Sequence, residues 1–215
     1  MRAQILGVTG LSLALLTACV SRGQISVRPD TQVTETEYQV LSVYITRTFT
    51  ANSGRERVVS QVSKIVIANK TQSDTDDVHD LYDNKPTAWK EITAYLLKKC
   101  PALEAVTLDS FREVNTHPAN FHPLFRLPVK CELIDESEFD RIFEKGGWWK
   151  DYYKKYPDSQ GFLTLSRVGF NPDGDQALFY ATNGCGGKCG TGSYVVMQRI
   201  GSNWRILKEI IFWIS

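Results

Sequence analysis

Cys185 and Cys189 flank three residues in Asn183-Gly184-Cys185-Gly186-Gly187-Lys188-Cys189-Gly190-Thr191-Gly192, a stretch that is half glycine. Glycine beside lysine suggests a phosphate cradle. That loop needs Gly-Lys followed by Ser or Thr at a helix start, and here Lys188 precedes Cys189. Thioredoxin-like exchange uses two intervening residues at a helix N-terminus, where this spacing has three. The remaining roles for the pair are a disulfide that pins a floppy loop, or a share in a metal site with Cys100 and Cys131. Two of the three histidines lie in His117-Pro118-Ala119-Asn120-Phe121-His122-Pro123 and could serve as a general base with a carboxylate such as Asp109 or Glu113. Each precedes a proline, which favours extended backbone over the helical i, i+4 pair of zinc hydrolases. No His-Glu-x-x-His or Gly-x-Ser-x-Gly pattern accompanies them. Asp74, Asp76, Asp77, His79, Asp80 and Asp83 make an acidic stretch, but no glycine falls between Ser73 and Lys85, as a calcium loop requires. A solvated loop is expected there, and no cofactor or metal is expected in the chain.

The elements that would position these residues can be read from periodicity and turn chemistry. Trp148-Trp149-Lys150-Asp151-Tyr152-Tyr153-Lys154-Lys155-Tyr156 is predicted to be a helix. At about 100° per residue, Trp148, Trp149, Tyr152, Tyr153 and Tyr156 share an arc of roughly 140°, with Asp151 and the lysines opposite. Such a stripe either covers one face of a sheet or offers rings to a sugar or protein partner. Covering the sheet is the expected role, and the five rings are retained as a candidate ligand or partner surface.

Behind that helix, residues 161–215 carry four short apolar runs that read as an antiparallel meander. The runs are Phe162 to Phe170, Gln176 to Thr182, Tyr194 to Ile200 and Trp204 to Trp213. Asn171-Pro172-Asp173-Gly174 and Gly201-Ser202 supply turns. Ala177, Phe179 and Ala181 alternate with Leu178 and Tyr180, so both faces are expected to be covered. Ser159, Arg167 and Asn171 flank the first run and could line a pocket. Upstream, Thr34 with Glu37 forms a capping-box pattern ahead of Tyr38, Leu41, Ile45 and Phe49, which predicts a helix over 35–49. Further helices are predicted over 88–99, over 102–115, and from Asp135 to Glu144, where Asp135 and Glu138 repeat the cap. Residues 58–67 and 129–134 read as two isolated strands.

At the other end of the chain, Arg2 precedes an apolar run from Ile5 to Leu16. That run is shorter than the about 20 residues a spanning helix needs, and it reads as a secretion leader. Leu16-Thr17-Ala18-Cys19 resembles the bacterial lipobox, in which small residues precede an obligatory cysteine that receives a diacylglycerol before cleavage. The resemblance implies a signal peptide over 1–18, acylation of Cys19, a tether over 19–34 and anchoring in a lipid bilayer. Val20 stands where some lipoproteins carry the aspartate that retains them on the inner membrane, which implies the outer membrane, facing the periplasm. An exported chain meets an oxidising compartment, so disulfides are expected over free thiols or a four-thiolate zinc site. Four cysteines allow three pairings, and the expected ones are Cys185 with Cys189 and Cys100 with Cys131.

Composition narrows the remaining possibilities. The chain is 42% hydrophobic and 23% charged, as expected of a folded domain, and its net charge of +1 gives no electrostatic reason to expect nucleic acid. The expected fold class is α+β, a single domain over 35–215 in which helices and isolated strands precede a four-stranded antiparallel meander covered by the aromatic helix. The Gly-Phe-Asn, Cys-Gly and terminal Trp-Ile-Ser stretches resemble those of exported bacterial proteins of unassigned function, across roughly residues 35–215. The resemblance implies no activity. The expected function is a non-enzymatic envelope module that binds an envelope protein, a glycan or a small ligand. The alternative is an envelope hydrolase using His117 or His122.

Overall fold

The computed structural model describes residues 32–50, 62–73, 89–144 and 146–215. Cys19, the leader, the tether up to residue 31 and the acidic stretch Asp74–Asp83 lie outside the described residues.

Helix α1 (Glu35–Ile45) starts with the expected reciprocal cap. The Glu37 N–H donates to Thr34 Oγ1 at 3.3 Å, and the Thr34 N–H donates to the Glu37 carboxylate at 2.8 Å. The helix widens into a π-helical turn (Thr46–Thr50), an irregularity that often marks a functional position. In chain order there follow β1 (Lys64–Ala68), α2 (Trp89–Lys99), α3 (Ala105–Val114), β2 (Lys130–Ile134), α4 (Glu136–Glu144), α5 (Trp149–Lys155), β3 (Ser159–Leu165), β4 (Gly169–Phe170), β5 (Gln176–Gly186), β6 (Cys189–Ile200) and β7 (Asn203–Ile214). The fold is mixed α and β.

All the strands of the described residues join one sheet of seven, in the order β2-β1-β3-β5-β6-β7, with β4 paired to the start of β5. The two strands expected to be isolated are therefore part of the sheet. β1 runs parallel to both neighbours, β2 and β3, while the pairs from β3 through β7 are antiparallel. Parallel neighbours are joined by long crossovers through helices, which leave no short turn signature in the sequence. At the β1–β3 seam, where the register shifts, the Gln160 side-chain amide fills the ladder. Its Oε1 accepts from Val66 N at 3.0 Å and its Nε2 donates to Val66 O at 2.8 Å.

Period-2 alternation decides which face each strand residue takes. On one face α1 packs over Ile65, Ile67, Leu163, Phe179, Val195 and Met197. On the other, α2 and α3 cover Leu178, Tyr180, Tyr194, Val196, Ile210 and Phe212, while α4 and α5 cover Val66, Ala68 and Phe162. The alternation of Phe179 against Leu178 and Tyr180 is thus matched by a helical layer on each side.

Two buried polar clusters lock the helices to the sheet. Glu37, whose carboxylate caps α1, also receives Arg167 Nε at 3.1 Å, an Arg167 terminal nitrogen at 2.8 Å and the Val168 N–H at 3.0 Å. Asn115, just past α3, accepts the Arg167 N–H at 2.8 Å. At the start of α3, which has no side-chain cap of its own, Gln176 Oε1 accepts from Glu104 N at 2.8 Å and from Thr107 Oγ1 at 2.9 Å. That contact explains why the helix begins at Ala105 and not at the expected 102.

Candidate functional site

The glycine-rich segment is the hairpin that joins β5 to β6, and Cys185 is disulfide-bonded to Cys189 across its tip, with a Cα–Cα distance of 5.0 Å. Its glycines make room for rings. A β-carbon at Gly184 would stand 3.2 Å from the Trp149 ring, and one at Gly187 would stand 3.1 Å from Trp148. From α5 the Tyr153 hydroxyl donates to the Cys185 carbonyl at 3.0 Å, so helix and hairpin are fastened together.

The aromatic stripe divides accordingly. Tyr152 and Tyr156 are buried in the cluster under α4 and α5, where the Tyr152 hydroxyl donates to the Gly161 carbonyl at 2.7 Å and the Tyr156 hydroxyl donates to the Glu138 carboxylate. Neither offers a surface for a ligand. Trp149 and Tyr153 are half-buried against the same cluster, and Trp148 is 59% exposed at the hairpin tip. Burial pushes the Tyr152 phenol well above its ordinary range.

On the α1 side of the same hairpin lies a cavity of about 270 Å³. Its floor is the polar end of the sheet. On β5 the face that carries Ala177, Phe179 and Ala181 continues to Asn183, and on the paired strand Met197 and Val195 give way to Ser193 and Thr191. Tyr44 and Phe49, whose rings meet edge to face 6.2 Å apart, form the wall, with Thr48 of the π-helical turn between them in sequence. The disulfide and Lys188 border it at the hairpin, and Glu209 and Ile211 border it on β7.

Two polar features at this end of the sheet are electrostatically incomplete. Asn183 is 5% exposed, and among the described residues its Oδ1 has no hydrogen-bond partner. Nδ2 donates to the Gln160 carbonyl at 3.2 Å, and the oxygen left over is shut away from the cavity. Glu209 and Lys188 carry opposite charges on one cavity, yet neither takes part in any ion pair or side-chain hydrogen bond among the described residues.

The other candidate residues lie elsewhere. Cys100 sits under α2 and α3, whereas Cys131 packs on the α1 face, so the sheet stands between them and both thiols are free. The expected Cys100–Cys131 disulfide is therefore not formed. Burial first, then the neighbouring Glu132 charge, pushes the Cys131 thiol up to about 11. His117 and His122 are exposed in an extended segment held beside β1 by Ala119 and Phe121 backbone bonds. The His117 ring meets Thr116 Oγ1 at 3.2 Å, and among the described residues neither ring is paired with a carboxylate or lines the cavity. Asp109 and Glu113 are exposed on α3. Among the described residues no cluster of three or more metal-ligating side chains occurs. Ser159, Arg167 and Asn171 are buried and occupied. Ser159 Oγ donates to the Tyr156 carbonyl, Arg167 holds Glu37, and Asn171 braces the turn before β5 through Asp175 and Gln176.

The sequence places Asn183, Cys185, Lys188 and Cys189 on one loop but carries no local sign that Tyr44, Thr48, Phe49 and Glu209 adjoin them. The available signal was the change from apolar to polar residues along one face of β5 and β6, which marks a sheet end that no helix covers completely. No family model, curated protein or solved structure matches this chain.

Proposed function

We propose that this chain is an exported bacterial lipoprotein, held at a membrane by acyl chains on Cys19, whose folded domain is a non-enzymatic binding module of the cell envelope. The observation that carries the proposal is Leu16-Thr17-Ala18-Cys19 directly behind a short apolar run. Each buried methylene of an acyl chain contributes about 0.8 kcal/mol, so two or more chains anchor a domain stably without a spanning helix. Among the described residues no helix is long and apolar enough to cross a membrane. The Cys185–Cys189 disulfide suits an oxidising compartment, and the location that accords best with Val20 is the outer membrane, facing the periplasm.

Within the domain, we read residues 161–215 as the antiparallel meander that presents the binding surface, with α5 covering the β3 side of its hairpin end. The partner is an envelope protein, a glycan or a small ligand. A hydrolase built on His117 or His122 draws no support from the contacts of either ring.

Metabolic labelling with an alkyne palmitate analogue tests the anchor. The wild-type protein is expected to take up label and to fractionate with membranes, and Cys19→Ser is expected to remain unlabelled. Equal labelling of both, or of neither, would remove the proposal.

A further inference from the structure

The cavity beside the disulfide-closed hairpin has properties that specify its occupant. Its volume is about 270 Å³. A carboxylate, Glu209, and an ammonium, Lys188, border it without neutralising each other. The wall is aromatic.

We propose that this cavity binds a free amino acid or a dipeptide with an apolar side chain. The ligand ammonium meets Glu209, its carboxylate meets Lys188, and its side chain lies against Tyr44 and Phe49. A simple amine would leave Lys188 unanswered, a fatty acid would leave Glu209 unanswered, and a neutral sugar would answer neither charge. A zwitterion with an apolar body answers all three features of the lining, and the disulfide keeps the bordering hairpin in shape while it does so. This names the ligand for the binding role proposed above and rests on that reading.

Isothermal titration of the full-length lipidated protein in detergent micelles tests it, using L-leucine, L-phenylalanine and dileucine, with N-acetyl-leucine and leucine amide as the forms that lack one charge. At least one zwitterion is expected to bind saturably, and for leucine each charge-deleted form is expected to bind at least tenfold more weakly. Glu209→Gln is expected to abolish the preference for leucine over N-acetyl-leucine, and Lys188→Met the preference for leucine over leucine amide. Glu209 is half-buried and Lys188 exposed, and melting curves of both variants check that they fold. Absence of saturable heat from all three zwitterions would overturn the proposal, as would preferences that survive both substitutions. If binding fails while Cys19 is still labelled, the ligand is wrong and the anchored module stands. If binding persists while labelling fails, the reverse holds.

Discussion

Arg167 and Glu37 show what a single buried pair does here. Their side chains are 8% and 2% exposed, the guanidinium meets both carboxylate oxygens, and the same carboxylate caps α1 and holds the Val168 N–H. Replacing a buried pair by apolar residues is often neutral, but removing one partner leaves a charge without compensation, at about 3–5 kcal/mol. Arg167→Met is therefore expected to lower unfolding stability by that amount in a urea titration, with little change in the slope against denaturant. A loss below about 1 kcal/mol would show that the pair is solvated in solution. Half of this pair was legible in the sequence. The Thr34–Glu37 spacing announces a cap, but nothing local announces Arg167, 130 residues away, as its counter-ion. The same holds for the cysteines. Cys185 and Cys189 are close enough in sequence for the chain itself to bring them together, whereas Cys100 and Cys131 could be placed only by knowing which side of the sheet each one faces.

Among the elements, α4 and α5 are joined through Glu138, which accepts from Lys155 at 2.5 Å and from the Tyr156 hydroxyl. Those bonds, the lysine first, hold the Glu138 carboxyl below its ordinary value of 4.5. A depressed carboxyl contributes stability that is present above its unfolded pKa and is lost as the pH falls through the folded one. The melting temperature is expected to drop on the acid side of pH 4.5, and Glu138→Gln to flatten that limb. An unchanged acid limb in the variant would place the effect elsewhere. Tyr152 acts at the alkaline end, where stability held below its ordinary value of 10.0 is lost as the pH rises toward the raised one.

Element contacts also explain Gly169, where a β-carbon would overlap the Phe111 backbone of α3. Backbone cannot step aside as a flexible side chain can. Gly169→Ala is expected to cost at least the about 1–3 kcal/mol typical of overpacking, read from chemical denaturation, and a neutral result would mean that α3 shifts freely over β4. Helix existence was legible from periodicity and caps, and the antiparallel hairpins from their turns. The parallel seats of β1 and β2 were not, because a crossover through helices carries no local mark. The aromatic stripe was legible as amphipathic, but which of its rings stay exposed depends on a hairpin that arrives some thirty residues later, as the Tyr153 to Cys185 bond shows.

At the scale of the whole molecule, the sheet of seven strands separates an α1 layer from two helical pairs, and the Cys185–Cys189 disulfide lies at the end of the sheet where the cavity opens. The export proposed above requires the hairpin beside the cavity to be closed by Cys185 and Cys189 in an oxidising compartment. Thiol trapping in intact cells tests that most directly: free thiols are blocked at acid quench, disulfides are reduced and tagged, and each cysteine is assigned by peptide mass. Cys185 and Cys189 are expected to carry the tag, and Cys100 and Cys131 to carry the first blocking group. Cys185 and Cys189 blocked from the outset, or Cys100 and Cys131 both carrying the tag, would contradict the account.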